Sequence, residues 1–331
     1  MDRKSTPLME VLERTDSRLR SEGNDTRLWP TGFKLLDDTI GGGLRAGMLA
    51  LLAGPQGQGK TTFALQIARN AVVAGRTAIF FSYELEAESL LQKLVALEAG
   101  EIDPHEAPNL NAIRSVFEGT DGGHGGLLDR LEALPGGVNA LLQVHRYAER
   151  LITHRSTTSH TGIASMIEQI EDSVRTHKEP PLVVVDYLQK VHDPKDVSED
   201  EQTTRIAEQL KDLAIEFDCP VLAIAAADHE GLQPGTRLRA RHLRGSTALA
   251  YEPDLVLVIN TKSDIVARHH LMFDGNSHER FRNYSVLTVE KNRSGHDGAE
   301  LEFRKRFDQG RFESEGAAVA ERLVDERVYV D

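Results

Sequence analysis

The stretch LLAGPQGQGKTTFALQIA (Leu51–Ala68) sets an apolar run, a glycine-rich loop and a helical pattern side by side. Gly54, Gly59, Lys60 and Thr61 satisfy G-x-x-x-x-G-K-[ST], with Pro55, Gln56, Gly57 and Gln58 between the glycines and Thr62 following. Glycines let successive backbone N–H groups curl around phosphate oxygens without a Cβ in the way. The first turn of the next helix adds exposed amides and a favourable dipole. In this context the pattern reads as a phosphate loop for a nucleoside triphosphate. Lys60 should reach the β- and γ-phosphates and Thr61 should ligate Mg²⁺. The bland alternative, a glycine turn that merely caps a helix, does not call for the lysine and threonine.

Outward from this loop the chain alternates strands and helices. Met48–Ala53 precedes it as a strand and Thr61–Ala74 follows as a helix closed by Gly75. Thr77–Tyr83 is a second strand, Glu86–Ala99 a helix, and RLITH (Arg150–His154) a short strand. Leu127–Leu134, Val138–Glu149 and Thr161–His177 read as helices. PLVVVDYLQKV (Pro181–Val191) is a β-branched strand, followed by a helix over Thr204–Phe217 and strands at Val221–Ala226 and Leu255–Ile259. Two alternating runs, Val286–Lys291 and Leu301–Arg306, flank NRSGHDG (Asn292–Gly298) as a hairpin. The pattern predicts an α/β fold with a mostly parallel sheet covered on both faces. Residues 1–27 read as an arm with a short helix that Thr6 can cap and SEGND (Ser21–Asp25) ends. Residues 28–312 read as one domain, and 313–331 as a charged tail with one helical stretch.

A phosphate loop needs a carboxylate on a neighbouring strand to hold the metal ion, and Asp186 closes LVVVD for that role. Glu84, at the end of the second strand, could orient the attacking water; equally, it could simply begin a helix whose dipole favours acids.

Composition narrows the classes. The 331 residues carry a formal charge of −13, so any nucleic-acid contact must be a local basic patch. Cys219 is the one cysteine, which rules out an intrachain disulfide and fits a reducing cytoplasm. No apolar run approaches the ~20 residues a membrane helix needs. The 13 histidines show no metal-ligand spacing, and RHH (Arg268–His270) reads as a solvated loop.

Together these segments resemble the C-terminal motor domain of DnaB-type replicative helicases, a RecA-like P-loop NTPase, over roughly Thr31 to Phe312. FFSYELEAESLLQKL (Phe80–Leu94) is similar to the family's FSLEM segment, whose glutamate activates water, and so selects that role for Glu84. DYLQ (Asp186–Gln189) resembles its Walker B. VEKNRSG (Val289–Gly295) is similar to its KQRNG, in which a lysine and an arginine project into the neighbouring subunit's nucleotide site; the resemblance assigns Lys291 and Arg293. It also implies a homo-oligomer, a hexameric ring, acting on single-stranded DNA. The family's N-terminal domain has no counterpart in the matched segments. Ala225 and Ala226 stand where the family has a polar Ser-Gln that senses the γ-phosphate.

For DNA, LQPGTRLRARHLRG (Leu232–Gly245) offers Arg237, Arg239, Arg241 and Arg244 as phosphate ligands, and Arg244 matches the family's DNA-contacting arginine. The earlier loop HDPKDVSEDEQ (His192–Gln202) is acidic and should repel a phosphate backbone. Two functions remain open: a motor on single-stranded DNA, and a RecA-like ATPase that serves as a switch or assembly platform without strand separation.

Overall fold

A computed structural model describes residues 5–20, 27–195, 197–233, 235–245, 247–267, 270 and 277–325. Helix α1 (Leu8–Arg20) buries none of its residues. Strands β1 (Leu28–Trp29) and β2 (Leu44–Arg45) form a small antiparallel ribbon around α2 (Lys34–Ile40). The core then runs β3 (Leu49–Ala53), α3 (Lys60–Val73), β4 (Ala78–Ser82) and α4 (Ala87–Ile102). Helices α5 (Leu110–Glu118), α6 (Leu127–Leu131) and α7 (Gly137–Tyr147) precede β5 (Leu151–Arg155) and α8 (Ile163–His177). Next come β6 (Leu182–Asp186), α9 (Glu199–Glu216), β7 (Val221–Ala225), α10 (Ala248–Tyr251), β8 (Leu255–Thr261) and α11 (Lys262–Ile265). Helix α12 (Ser277–Arg282) leads into three antiparallel strands, β9 (Tyr284–Asn292), β10 (Glu300–Arg306) and β11 (Arg311–Ala318).

Among the described residues, nine strands make one sheet in the order β11-β10-β9-β8-β3-β7-β6-β4-β5, parallel from β8 to β5. Because strand side chains alternate, β3 feeds two cores at once. Ala50 and Leu52 join Phe80, Val184 and Leu222 beneath α3, α4 and α7. Leu49, Leu51 and Ala53 join Phe81, Val185 and Ala223 beneath α8 and α9. Two covered faces explain why these strands are continuous apolar runs. β3 and β4 are consecutive in the chain, yet β7 and β6 lie between them in the sheet. The crevice beyond the carboxyl ends of such strands is where α/β sheets hold ligands.

The doubly covered α/β sheet and the hairpin are as expected, but three local readings change. Strand β11 crosses the expected boundary at 312/313, pairing Phe312 with Lys305 and Ala318 with Leu301, so Glu313 starts no helical tail. Its polar residues belong to a sheet edge. Helix α9 begins at Glu199, five residues before the expected start, because Ser198 caps it and Glu201 returns a bond to the Ser198 N–H. The acids of HDPKDVSEDEQ thus include a helix's first turn, where they favour the dipole. Helix α5, missed in the glycine-rich region, is capped by Asn109 and buries Ile113 and Val116. SEGND lies outside the described residues, as do Asp196, Arg268 and His269, and residues 326–331 of the tail. No helix among the described residues is long and apolar enough to cross a membrane.

Candidate nucleotide site

The loop from Gly54 to Gly59 joins β3 to α3, and two of its glycines are sterically required. A Cβ on Gly54 would sit 2.6 Å from the Ile259 carbonyl oxygen. Gly59 has φ +83°, and its Cβ would meet the Phe307 ring at 2.5 Å. The Lys60 ammonium donates to the carbonyls of Gly54 (2.8 Å) and Pro55 (2.9 Å), which holds it curled over the loop. Burial lowers its pKa, while Asp186 and Glu84 pull in the other direction. Gln58 accepts a hydrogen bond from the Thr261 hydroxyl, tying the loop to the end of β8.

Asp186 closes β6 opposite Ser82 of β4 and is only 2% exposed. The Thr61 hydroxyl donates to its Oδ2 at 2.7 Å. Burial pushes the Asp186 carboxyl up to about 6; Glu84 adds to the rise, while the Thr61 hydrogen bond, Lys60 and Lys93 oppose it. A hydroxyl and a desolvated carboxylate in contact beside the loop are the oxygen donors that a hard divalent cation takes, so this pair fits Mg²⁺.

That shift sets a stability prediction. Above pH 6 the folded state must carry a charge that it disfavours, so Asp186 lowers the stability of the nucleotide-free protein there. Well below pH 4 both folded and unfolded chains are protonated and the penalty vanishes. Asp186→Asn should therefore stabilise the nucleotide-free protein by about 2–3 kcal/mol at pH 7–8, a gain that shrinks as pH falls from 6 toward 4. Denaturant melts across that range test it, and a gain independent of pH would contradict it.

A cleft of about 590 Å³ opens over the loop, and its walls include Gly54, Lys60, Thr61, Glu84 and Asp186. Glu84 stands exposed just beyond the end of β4. The sequence reading missed Lys93 of α4 and Phe307, which also line the cleft. Lys93 lies nine residues after Glu84 and reads as a solvent-facing lysine of an amphipathic helix; burial lowers its pKa, with help from Arg114. Phe307 comes from the turn after β10, distant in sequence, and gives no local signal.

Lys291 and Arg293 lie at the other end of the sheet. Asn292 pairs with Leu255 at the start of β8, and the Arg293 N–H donates to the Asp254 carbonyl at 2.8 Å. Lys291 donates to the carbonyls of Ala250 (3.0 Å) and Tyr251 (2.7 Å). Arg293 donates to the Tyr251 carbonyl (2.6 Å) and to Asp254 (3.3 Å). The Asp254 N–H bonds Leu49, the first residue of β3, while Gly54 follows the last. The hairpin cations and the phosphate loop of one chain are thus separated by the length of β3.

The arginine loop needs correction. Arg237 is 2% exposed, ion-paired with Glu300 and bonded to Thr288 (2.9 Å), so it cannot meet a phosphate. Arg239 is held between Glu290 (2.9 Å) and Asp325 (2.6 Å). These two arginines fasten the loop to the β-sheet and the C-terminal segment. Arg241 is exposed and bonds the neighbouring His242 ring at 3.2 Å. Arg244 is half exposed, reaches the cleft wall and pairs with Glu199 at 2.7 Å.

A model of the AAA domain family matches residues 20–231, more than half the chain. The replicative DNA helicase DnaB of Rhodothermus marinus is 28% identical over 65% of this chain and 21% of its own length. The DnaB of Haemophilus influenzae is 26% identical over 98% of this chain and 62% of its own length. The chain therefore spans at most about three-fifths of these two curated relatives. Among solved structures, a DnaB-like replicative helicase, described with its interactions with primase, superposes with a TM-score of 0.69 at 20% identity, covering 92% of this chain and 68% of that one. A solved ATPase domain superposes with a TM-score of 0.70, also at 20% identity, covering 93% of this chain and 99% of that one. The chain belongs to the AAA domain family, with the RecA-like fold of DnaB-type helicase ATPase domains.

Proposed function

We propose that this chain is the motor domain of a DnaB-like translocase that hydrolyses ATP at the seam between two copies of itself and acts on single-stranded DNA. The observation that carries this reading is the opposition of Lys291 and Arg293 to the phosphate loop, half an active site at each end of one sheet. A second copy, stacked head to tail, brings the two halves together. Repetition of that contact with closure gives a ring, for which a hexamer is the natural proposal by similarity. We place the protein in the cytoplasm, consistent with a single buried cysteine.

In this scheme the amides of Gln56–Thr62 and the Lys60 ammonium bind the triphosphate, and Lys60 exchanges its two loop carbonyls for phosphate oxygens. Thr61 and Asp186 would hold Mg²⁺, which when bound neutralises charge on the β- and γ-phosphates. Glu84 orients the attacking water and accepts its proton. Arg293, with Lys291 beside it, approaches the γ-phosphate from the neighbour and makes turnover conditional on assembly.

Arg244 is the DNA ligand this reading retains, with Arg241 exposed nearby. Arg244→Ala should abolish most stimulation of ATP turnover by single-stranded DNA and flatten the salt dependence of binding by about 0.7 in log–log slope. The alternative, an ATPase switch or assembly platform, draws on one observation: three of the four loop arginines are paired with carboxylates within the chain, Arg237 buried, Arg239 part-buried, and Arg244 with Glu199 at the surface. Turnover indifferent to single-stranded DNA in the unaltered protein would favour that alternative.

A further inference from the structure

Gln189 occupies a position that neither the nucleotide cleft nor the arginine loop alone explains. It lies three residues beyond Asp186, in the short helical turn Leu188–Lys190, whose Leu188 is fully buried. Its side-chain amide is used at both ends. The Nε2 group donates to the Arg244 carbonyl at 2.9 Å, and Oε1 accepts the Ala226 N–H at 3.1 Å. The ring closes because the Arg244 N–H donates to the Ala226 carbonyl at 2.9 Å. This joins a two-stranded ladder in which Ala227 faces Leu243 and the Asp228 N–H donates to the His242 carbonyl, also at 2.9 Å. The residue after Arg244 is pinned as well: Gly245 has φ +111°, and a Cβ there would lie 2.4 Å from the Thr203 hydroxyl oxygen.

Three segments therefore meet on one amide: the turn after Asp186, the end of β7, and the end of the arginine loop. Tyr187, Ala226 and Arg244 from these segments all line the nucleotide cleft. Ala225 and Ala226 contribute no polar side chain after β7, so a signal through that strand's end has only backbone groups to travel through. Gln189 supplies the missing side-chain link and runs it to the backbone of Arg244.

We infer that Gln189 is the positioning residue that couples the nucleotide cleft to Arg244, so that the state of the site beside Asp186 sets where Arg244 presents its guanidinium. A shift of the Asp186–Gln189 turn moves the Arg244 carbonyl with it, because the Gln189 amide donates to that carbonyl while the bond it accepts from the Ala226 N–H ties in the end of β7. The Arg244 side chain, otherwise paired with Glu199, then exchanges that carboxylate for a phosphate. This inference rests on the proposed engagement of single-stranded DNA by Arg244.

The test compares the unaltered chain with Gln189→Met, similar in size but without hydrogen-bonding groups, and with Gln189→Glu, which keeps the acceptor for Ala226 and loses the donor to Arg244. ATP turnover is measured with and without an oligothymidylate, alongside oligothymidylate binding and thermal melting. Both variants should melt like the parent and keep DNA-free turnover within about twofold, yet lose roughly five- to tenfold of the DNA stimulation, the worth of one or two hydrogen bonds. Adding Gln189→Met to Arg244→Ala should cost nothing further, since a residue that acts only through Arg244 has nothing left to position once that side chain is gone. An unaltered chain that ignores oligothymidylate defeats the DNA reading itself. A stimulated parent with equally stimulated Gln189 variants overturns the coupling role alone. Parallel loss of melting temperature, basal and stimulated turnover would also overturn it, showing a merely structural residue.

Discussion

Lys60→Ala should reduce ATP turnover by about 10²–10³-fold or more while leaving the melting temperature of the nucleotide-free protein nearly unchanged. The two effects separate because of what the ammonium touches. Its hydrogen-bond partners are the Gly54 and Pro55 carbonyls of its own loop, so its loss orphans no distant element. The lysine is partly desolvated, and a triphosphate offers it a better counter-charge than two neutral carbonyls. That gain grows as negative charge spreads over the γ-phosphoryl oxygens in the transition state, which is why the loss should fall mainly on turnover. Steady-state phosphate release and a melt on the same preparation make the check. Near-normal turnover in the variant would remove the cleft from consideration as the catalytic site.

The phosphate loop, Asp186 and the alternation of strands and helices were legible because each depends on local chemistry. A glycine at φ +83° before a helix, or a run of five apolar residues buried on both faces, announces itself within its own window. The arginine loop was misread for the opposite reason. Arg237 and Arg239 alternate like solvated phosphate ligands, but their partners Glu300, Glu290 and Asp325 lie 51 to 86 positions away in the chain. Pairing by tertiary contact leaves no mark in a window of sequence. Strand β11 was hidden similarly: as an edge strand it buries Arg311 and Phe312 and then turns polar, so its pattern resembles a tail. Lys93 is an ordinary helical lysine until the fold closes over it. The Glu84 assignment came from resemblance, since its position alone fitted a helix start equally well.

Arg293→Ala should lower ATP turnover by roughly 10³–10⁵-fold, the scale of a cation delivered to the γ-phosphate from a neighbouring chain. The variant should fold, because the Arg293 guanidinium is 51% exposed and its strand is fixed by backbone bonds to β8. Within one chain this arginine cannot serve the phosphate loop: it lies beside the start of β3, and the loop begins after that strand's five residues, about 17 Å away at 3.3 Å per residue. The prediction that follows is complementation. Lys60→Ala and Arg293→Ala proteins, each inactive alone, should regain turnover when co-assembled, because an intact loop from the second then meets an intact arginine from the first. With random mixing in equal amounts and independent head-to-tail seams, about a quarter of the seams are competent and recovery should approach that fraction. Measured against wild-type subunits at the same total concentration, absence of any recovery in confirmed mixed assemblies would show that both groups act within one chain or that Arg293 is not part of the site. Recovery that appears only above the concentration at which subunits associate would tie the chemistry to the seam.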